Sequence, residues 1–383
     1  MKKRILYITL LLIGSLILVI RCKQTYDPPA IKNPGLYLVV DGFINTAANS
    51  VTTINLNRTR GLGDSTANGI PEGKAKVVVQ SSNGASWPLT DPTGAGVYTS
   101  APLTLDITQK YSIRITTSDG RIYASDAVVA KQTPPIDSVY WRKPGDLSIY
   151  ADTHDPTGNS RYYRFDYLET YEHDAANPSP WGVADGMIYV VDTMHSGVRC
   201  YTTRLSSTVL LANSTTLSQD VISSFAVNTI PYADARLNVR YSVLVRDYAL
   251  AEDAYNYWQI VQKTSDNTGT LFDLQPSQLI GNIHCTSNPS EPVIGFLSAT
   301  SAQQQRIFIG HLDVNWPITD TTYGCNATTL AVDPLNSLVY NYPDTSVGPW
   351  YFITSSSEWV LLPKKCMNCL YQGGTIQRPS FWQ

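Results

Sequence analysis

The sequence predicts a mainly β protein: an N-terminal immunoglobulin-like β-sandwich over residues 36–130, then a larger β-rich domain over 136–383 carrying one amphipathic helix near 250–265. Three observations carry this expectation. Charged residues make up only 15% of the chain while Tyr numbers 24 and Trp 8, a composition weighted to side chains that fit a pleated, half-buried surface. Short alternating or continuous apolar runs recur between turns rich in Gly and Asn. Only one long segment carries a 3.6-residue apolar period.

The first 21 residues read as an export signal. Lys2, Lys3 and Arg4 precede an apolar run of 16 residues from Ile5 to Ile20, about 24 Å as a helix and short of a bilayer core. A basic start before a short apolar stretch marks a secretory signal. Leu18, Val19 and Ile20 then lead to Cys22, which resembles the lipobox of bacterial lipoproteins, whose cysteine is acylated and heads the mature chain. Arg21 stands where that pattern has Gly, Ala or Ser, and an uncleaved N-terminal anchor is the alternative. Either arrangement places the remainder outside the cytoplasm. Residues 22–35 form the lipid anchor and its tether; they are polar and carry Pro28, Pro29 and Pro34, so an extended, unpacked segment is expected.

Removing residues 1–21 takes away four basic residues and no acid, leaving 24 basic against 31 acidic and a charge near −7. That balance argues against binding nucleic acid or anionic lipid by charge. The remaining chain, about 360 residues, is long enough for two or three domains.

Strands are expected at LYLVVD (36–41), VTTINLNR (51–58), AKVVVQ (75–80), KYSIRITT (110–117) and RIYASD (121–126). Ser118-Asp119-Gly120 between the last two is a tight-hairpin signal. Five or more strands in about 90 residues suggest an antiparallel sandwich of immunoglobulin-like type. AKQTPPIDS (130–138) reads as a linker, because Pro134 and Pro135 resist regular structure.

Strand patterns continue in SVYWRK, RYYRFDYLETY, MIYVVDT and LNVRYSVLVRDYAL. Tyr162, Phe165, Tyr167 and Tyr171 form an aromatic stripe, read as a sheet face packed in a core, with a sugar-stacking platform as the alternative. In LAEDAYNYWQIVQKTSDNTG (250–269), Leu250, Ala254, Tyr257, Trp258 and Val261 share one helical face. Glu252 and Asp253 in the first turn and Lys263 near the last complement the helix dipole. The helix is expected to pack across the second sheet with its aromatics in the core.

No catalytic constellation emerges. GIPEGKA (69–75) has the wrong glycine spacing for a phosphate loop and Ala75 in place of the hydroxyl residue, so it reads as a turn. GLGDST and GAGVYT lack a third glycine and a following helix. His154, His173, His195, His284 and His311 are scattered; THD, EHD and HLD place His beside Asp, read as chance adjacency in acidic loops. Asn57, Asn213 and Asn326 lie in N-x-S/T, incidental behind a bacterial lipoprotein signal. Neither H-E-x-x-H nor G-x-S-x-G occurs, and no metal, cofactor or catalytic residue is expected.

Five cysteines remain besides Cys22. In an oxidising compartment four can form two disulfides. The expected quartet is Cys285, Cys325, Cys366 and Cys369, which fall within 85 residues of one another. Bonding Cys366 and Cys369 each to one of the upstream pair closes larger loops than joining them together, and Cys200 is left over. A zinc site would need a second close pair, and a redox C-x-x-C would open a helix after a strand; both stand as alternatives. Gly373 and Gly374 then let the chain turn so that Phe381 and Trp382 lie against the body.

YDPP after the lipid cysteine, LYLVVDGFI, RYSVLVRDYALAEDAYNYW, GTLFDLQPSQLIGNI, VIGFLSA and the closing CMNCLYQGGTIQRPSFW resemble the Bacteroidetes outer-membrane lipoproteins called domain of unknown function 4249. The resemblance implies a secreted lipoprotein, held at the outer membrane by its N-terminal lipid on a face left open, often produced alongside TonB-dependent receptors. It brings no catalytic residue. The expectation is therefore a non-catalytic outer-membrane lipoprotein that serves as an accessory or ligand-capture partner of a TonB-dependent receptor, its ligand unknown. A structural or adhesive envelope protein is the alternative from another class, and an uncharacterised hydrolase the third.

Overall fold

The computed structural model describes residues 36–60, 69–184, 187–190, 197–266, 281–319, 324–331 and 346–382. The export signal, Cys22 and the tether lie outside the described residues. The fold is mainly β, as the composition predicts.

Two sheets surround the first core. One holds β1 (Leu38–Asn45), β2 (Thr53–Arg58), β3 (Ile70–Pro71) and β6 (Val97–Thr99), all antiparallel. The other holds β4 (Lys76–Ser81), β5 (Ser86–Leu89), β7 (Lys110–Thr116), β8 (Ile122–Ser125) and β9 (Val128–Val129). Alternation sets the buried faces: Leu38, Val40, Val77, Val79, Ile113 and Ile115 all point into one apolar cluster. The Ser118-Asp119-Gly120 turn closes the β7–β8 hairpin, where Asp119 accepts a hydrogen bond from Thr117 Oγ1 at 2.5 Å.

The expected boundary after residue 130 does not separate these sheets from the rest. β19 (Ile283–Cys285) pairs with β8, while β20 (Val293–Ile294) and β21 (Ala299–Thr300) pair with β1 in parallel. Ile283, Cys285, Val293, Leu297 and Ala299 join the first core. Strands of two or three residues are too short to show a period, and parallel pairing leaves no local hairpin signature. At Gly295, φ is +132° and a Cβ would sit 2.1 Å from the Val40 carbonyl oxygen. Only glycine passes there.

A buried ion network fastens this returning segment. Arg58, 5% exposed, donates from Nε to Glu72 at 2.6 Å and lies 3.4 Å from Glu291. Glu291 also accepts from Arg121 at 2.9 Å and from the Tyr123 hydroxyl at 2.6 Å. Burial raises the Glu291 pKa, but the hydrogen bonds from Tyr123 and Arg121 outweigh it and hold the carboxyl below its ordinary value of 4.5. Arg121 likewise holds Asp119 well below the usual carboxylate range. Both groups bind protons more readily in the unfolded chain, so their stabilisation is complete above the unfolded values and lost as pH falls through the folded ones. The melting temperature is therefore expected to hold steady above about pH 5 and to drop progressively below it. A melting temperature unchanged between pH 5 and pH 3 would contradict the network.

The expected linker is a buried tie instead. Thr133 is 2% exposed; its N–H donates to Ser301 Oγ at 2.8 Å, and its hydroxyl oxygen accepts from the Ala249 N–H at 2.8 Å. Pro134 and Pro135 then enter β10 (Ile136–Arg142), which forms a three-stranded sheet with β11 (Leu147–His154) and β17 (Val221–Ile230). Facing it is a five-stranded sheet of β12 (Tyr162–Asp174), β15 (Arg199–Leu205), β16 (Leu210–Asn213), β18 (Arg240–Ala249) and β22 (Ala302–Gly310). Their shared core includes Ile149, Phe165, Val243 and Ile309. Phe165 stacks on Phe225 at 4.8 Å, and Tyr167 and Tyr171 pack on the same face, so most of the aromatic stripe is core. Tyr162 points the other way and packs on Tyr255 at 5.0 Å.

The predicted helix is α1 (Glu252–Asp266). Leu250 and Ala254 are buried beside Tyr248 and the unforeseen Tyr255, with Phe43 of β1 and Phe296 of the segment between β20 and β21 against them. The helix therefore packs on both assemblies. A hairpin of β13 (Trp181–Ala184) and β14 (Met187–Val190) and a sheet of β23 (Thr328–Ala331), β24 (Val347–Ile353) and β25 (Glu358–Pro363) complete the chain.

The disulfides correct the expected quartet. Cys200 bonds Cys369 and Cys325 bonds Cys366, while Cys285 is free and buried. Cys285 lies on β19, so the strand that carries it packs in the first core. Cys200 lies on β15, where the chain end crosses. There Thr375 exchanges backbone hydrogen bonds with Tyr201, 2.8 and 3.0 Å long, and Gly373, at φ +83°, turns the chain onto the strand. Trp382 is 6% exposed, packs on Tyr201 and Phe308, and donates from Nε1 to Glu172 at 3.3 Å. The C-terminus is a strap, stapled at both cysteines.

Candidate functional site

Where the two sheet assemblies meet, the outer face of the five-stranded sheet, β1 and α1 enclose a cleft of about 360 Å³. Strand alternation supplies its floor. Phe165 and Val245 point into the core, so Arg164, Asp166, Arg246 and Tyr248 point outward. The register places Arg164 opposite Tyr248 and Asp166 opposite Arg246. Leu250 follows β18, and the helix beyond it brings Tyr257 and Trp258 over this face.

The geometry is that of a clamp. The Arg164 guanidinium carbon lies 4.9 Å from the Tyr248 ring centre and 4.4 Å from that of Trp258, close enough for cation–π attraction to both. Arg246 donates from Nε to Asp166 at 2.5 Å, and Arg164 stands 3.6 Å from the same carboxylate. Phe43 meets Tyr248 edge-on at 5.3 Å, and Tyr257 packs on Phe296 at 5.1 Å. Burial lowers the Arg246 pKa, yet the hydrogen bond and charge of Asp166 raise it on balance. Tyr248 is pushed up to about 12 by burial and by the Asp166 charge, so its hydroxyl remains a donor at neutral pH. Two arginines face Asp166 and Asp41, which leaves the lining balanced in charge. Such a surface stacks against flat or apolar ligand faces and offers hydrogen bonds at defined points.

Of the residues singled out from the sequence, Leu250, Tyr257 and Trp258 of the predicted helical face line this cleft. His154 meets Asp137 at 2.8 Å and is exposed, while Asp155 caps its own turn by accepting from Thr157 and Ser160. His173 hydrogen-bonds Thr202 at 2.9 Å, and its neighbour Asp174 binds Arg199. His311 contacts the Leu237 carbonyl at 3.2 Å, and His284 lies 3.5 Å from Asp126. His195 lies outside the described residues. Among the described residues no three His, Cys, Asp or Glu side chains gather as a metal site, and no helix is long and apolar enough to cross a membrane. GIPEGKA crosses from β3 to β4, with Glu72 as the partner of Arg58. Arg164 and Asp166 alternate with the aromatics of RYYRFDY, and a period of two shows that they share a face but not which distant residues cover it.

The fold and the cleft define a mainly β protein with a preformed cleft between its sheets. The chain belongs to the family described as Domain of unknown function (DUF4249), whose model matches residues 23–306. The match ends before the closing cysteine block. None of the curated proteins matches the chain. Among solved structures, the crystal structure of a DUF4785 family protein from Legionella pneumophila is similar over 54% of this chain and 51% of that one, at 8% identity and a TM-score of 0.18. The chain thus spans about half the length of that protein, and a likeness at this level carries no argument.

Proposed function

We propose that this protein is a non-catalytic, lipid-anchored accessory protein of the outer membrane that captures a small ligand in the cleft and works beside a TonB-dependent receptor. The observation that carries the capture reading is the clamp of Arg164 between Tyr248 and Trp258. Its charged groups are occupied in holding one another, an arrangement suited to recognition by stacking and hydrogen bonding. The anchored half of the proposal rests on the run from Lys2 to Cys22, and the receptor partner on the family resemblance. The buried tie at Thr133 supports a rigid binding unit over a flexible adhesive spacer.

Native mass spectrometry of protein purified from its own envelope is expected to reveal a bound small molecule. Trp258→Ala should weaken its retention about tenfold, the worth of one aromatic stacking face. Equal retention by the variant would overturn the capture reading. Affinity purification of the tagged full chain from outer membranes is expected to recover a receptor barrel, and recovery of none would overturn the partner reading. Fatty-acid labelling that survives Cys22→Ala would overturn the anchor.

A further inference from the structure

The outer face of the five-stranded sheet continues past Arg246. On the outer face of the five-stranded sheet, residues two apart along a strand form successive rows about 7 Å apart. Arg164 and Tyr248 share one row, Asp166 and Arg246 the next, and Leu168, Leu244 and Arg306 the one after. Leu205, opposite Leu168 and 59% exposed, lines the cleft as well. Arg306 therefore occupies the next step of the same surface.

Arg306 differs from Arg164 and Arg246. Arg246 and Arg164 share Asp166, whereas Arg306 has no carboxylate partner among the described residues. Its Nη1 donates to Ser242 Oγ at 3.0 Å, and its guanidinium carbon lies 3.6 Å from the Phe381 ring centre. It is half-buried, and burial lowers its pKa. The strap bonded through Cys369 to Cys200 brings Phe381 over it. A guanidinium that is partly desolvated, stacked and fixed by one hydroxyl, with fork donors left over, is pre-organised for a planar oxyanion.

We propose that Arg306 is the carboxylate-recognising residue of the binding surface, so that the ligand is an elongated molecule with a ring or apolar part in the cleft and a carboxylate at Arg306. This rests on the capture reading above. The carboxylate can belong to an acidic sugar or to the free end of a short peptide, and the two sources are separable. A bland role, in which Arg306 merely supports the Phe381 ring, makes the opposite prediction.

Calorimetric titration of the full chain with digalacturonate and its methyl ester, and with N-acetyl-Phe-Phe acid and its amide, tests the assignment. One acid is expected to bind about tenfold tighter than its neutral partner, the worth of a charge-assisted pair. Arg306→Gln should abolish that preference, and Arg306→Lys, which keeps the charge without the fork, should retain part of it. Thermal melting of each variant separates misfolding from lost recognition, since a folded Arg306→Lys still reports. Equal binding of acid and neutral members in both pairs, no binding by either acid, or a preference that survives Arg306→Gln would overturn the proposal. Trp258→Ala distinguishes this failure from failure of the capture reading: binding lost there but indifferent to Arg306 removes only the carboxylate assignment.

Discussion

Cys200→Ser is expected to destabilise the protein by about 5 kcal/mol, because the bridge to Cys369 spans 169 residues and loop closure over that length removes a large share of unfolded-chain entropy. Cys325→Ser opens a span of 41 residues and is expected to cost about 4 kcal/mol on the same reasoning. The larger effect also has a local signature. Cys200 sits beside Tyr201, where the chain end pairs with β15, so losing the bridge should loosen Thr375, Phe381 and Trp382 together. Denaturant midpoints measure the cost, and a red shift of Trp382 fluorescence reports the strap. Peptide mapping under non-reducing conditions gives the pairing itself. A fragment joining Cys285 to any other cysteine would sink this assignment, whereas Cys285→Ser should leave both bridges intact.

Glu291→Gln is expected to cost about 3–5 kcal/mol, the range for breaking a buried ion pair. The Glu291 side chain is 8% exposed and serves Arg58, Arg121 and Tyr123 at once. Removing its charge leaves Arg58, at 6% side-chain exposure, with Glu72 as its one ionised partner among the described residues. By contrast, the Arg121–Asp119 pair is 37% and 48% exposed, so Asp119→Asn should cost no more than about 1 kcal/mol. The two variants thus separate burial from mere proximity. Because Glu291 belongs to the segment that returns to the first core, faster amide exchange should concentrate in residues 283–300 and spare β11 and β18. Exchange that rises uniformly, or not at all, would remove this network from the fold's fastening.

Much of the local structure was legible in the chain. The strands at 38–45, 53–58, 76–81 and 110–116 follow from alternation, and the helix at 252–266 from its apolar face and acidic first turn. The same reasoning missed Tyr255, buried on the helix flank that the chosen stripe leaves out, where its hydroxyl accepts from Asn213 at 2.9 Å. The clamp residues were visible one by one but not as a site. A period of two says that Arg164 and Asp166 share a face; it does not say that Arg246, Trp258 and Phe43 will meet them there.

The cysteines show the division most sharply. The sequence by itself determined that the chain is β-rich and low in charge and carries enough cysteines for two bridges, because composition and period report local preference. Which cysteines bond, and where one assembly ends and the next begins, only the tertiary structure decided. Both hang on a few short strands, β19, β20 and β21, whose pairing with β8 and β1 spans more than 150 residues of chain. That pairing takes Cys285 into the first core and leaves Cys369 facing Cys200. Contacts between distant strands depend on register and packing across the whole fold, which no local pattern encodes.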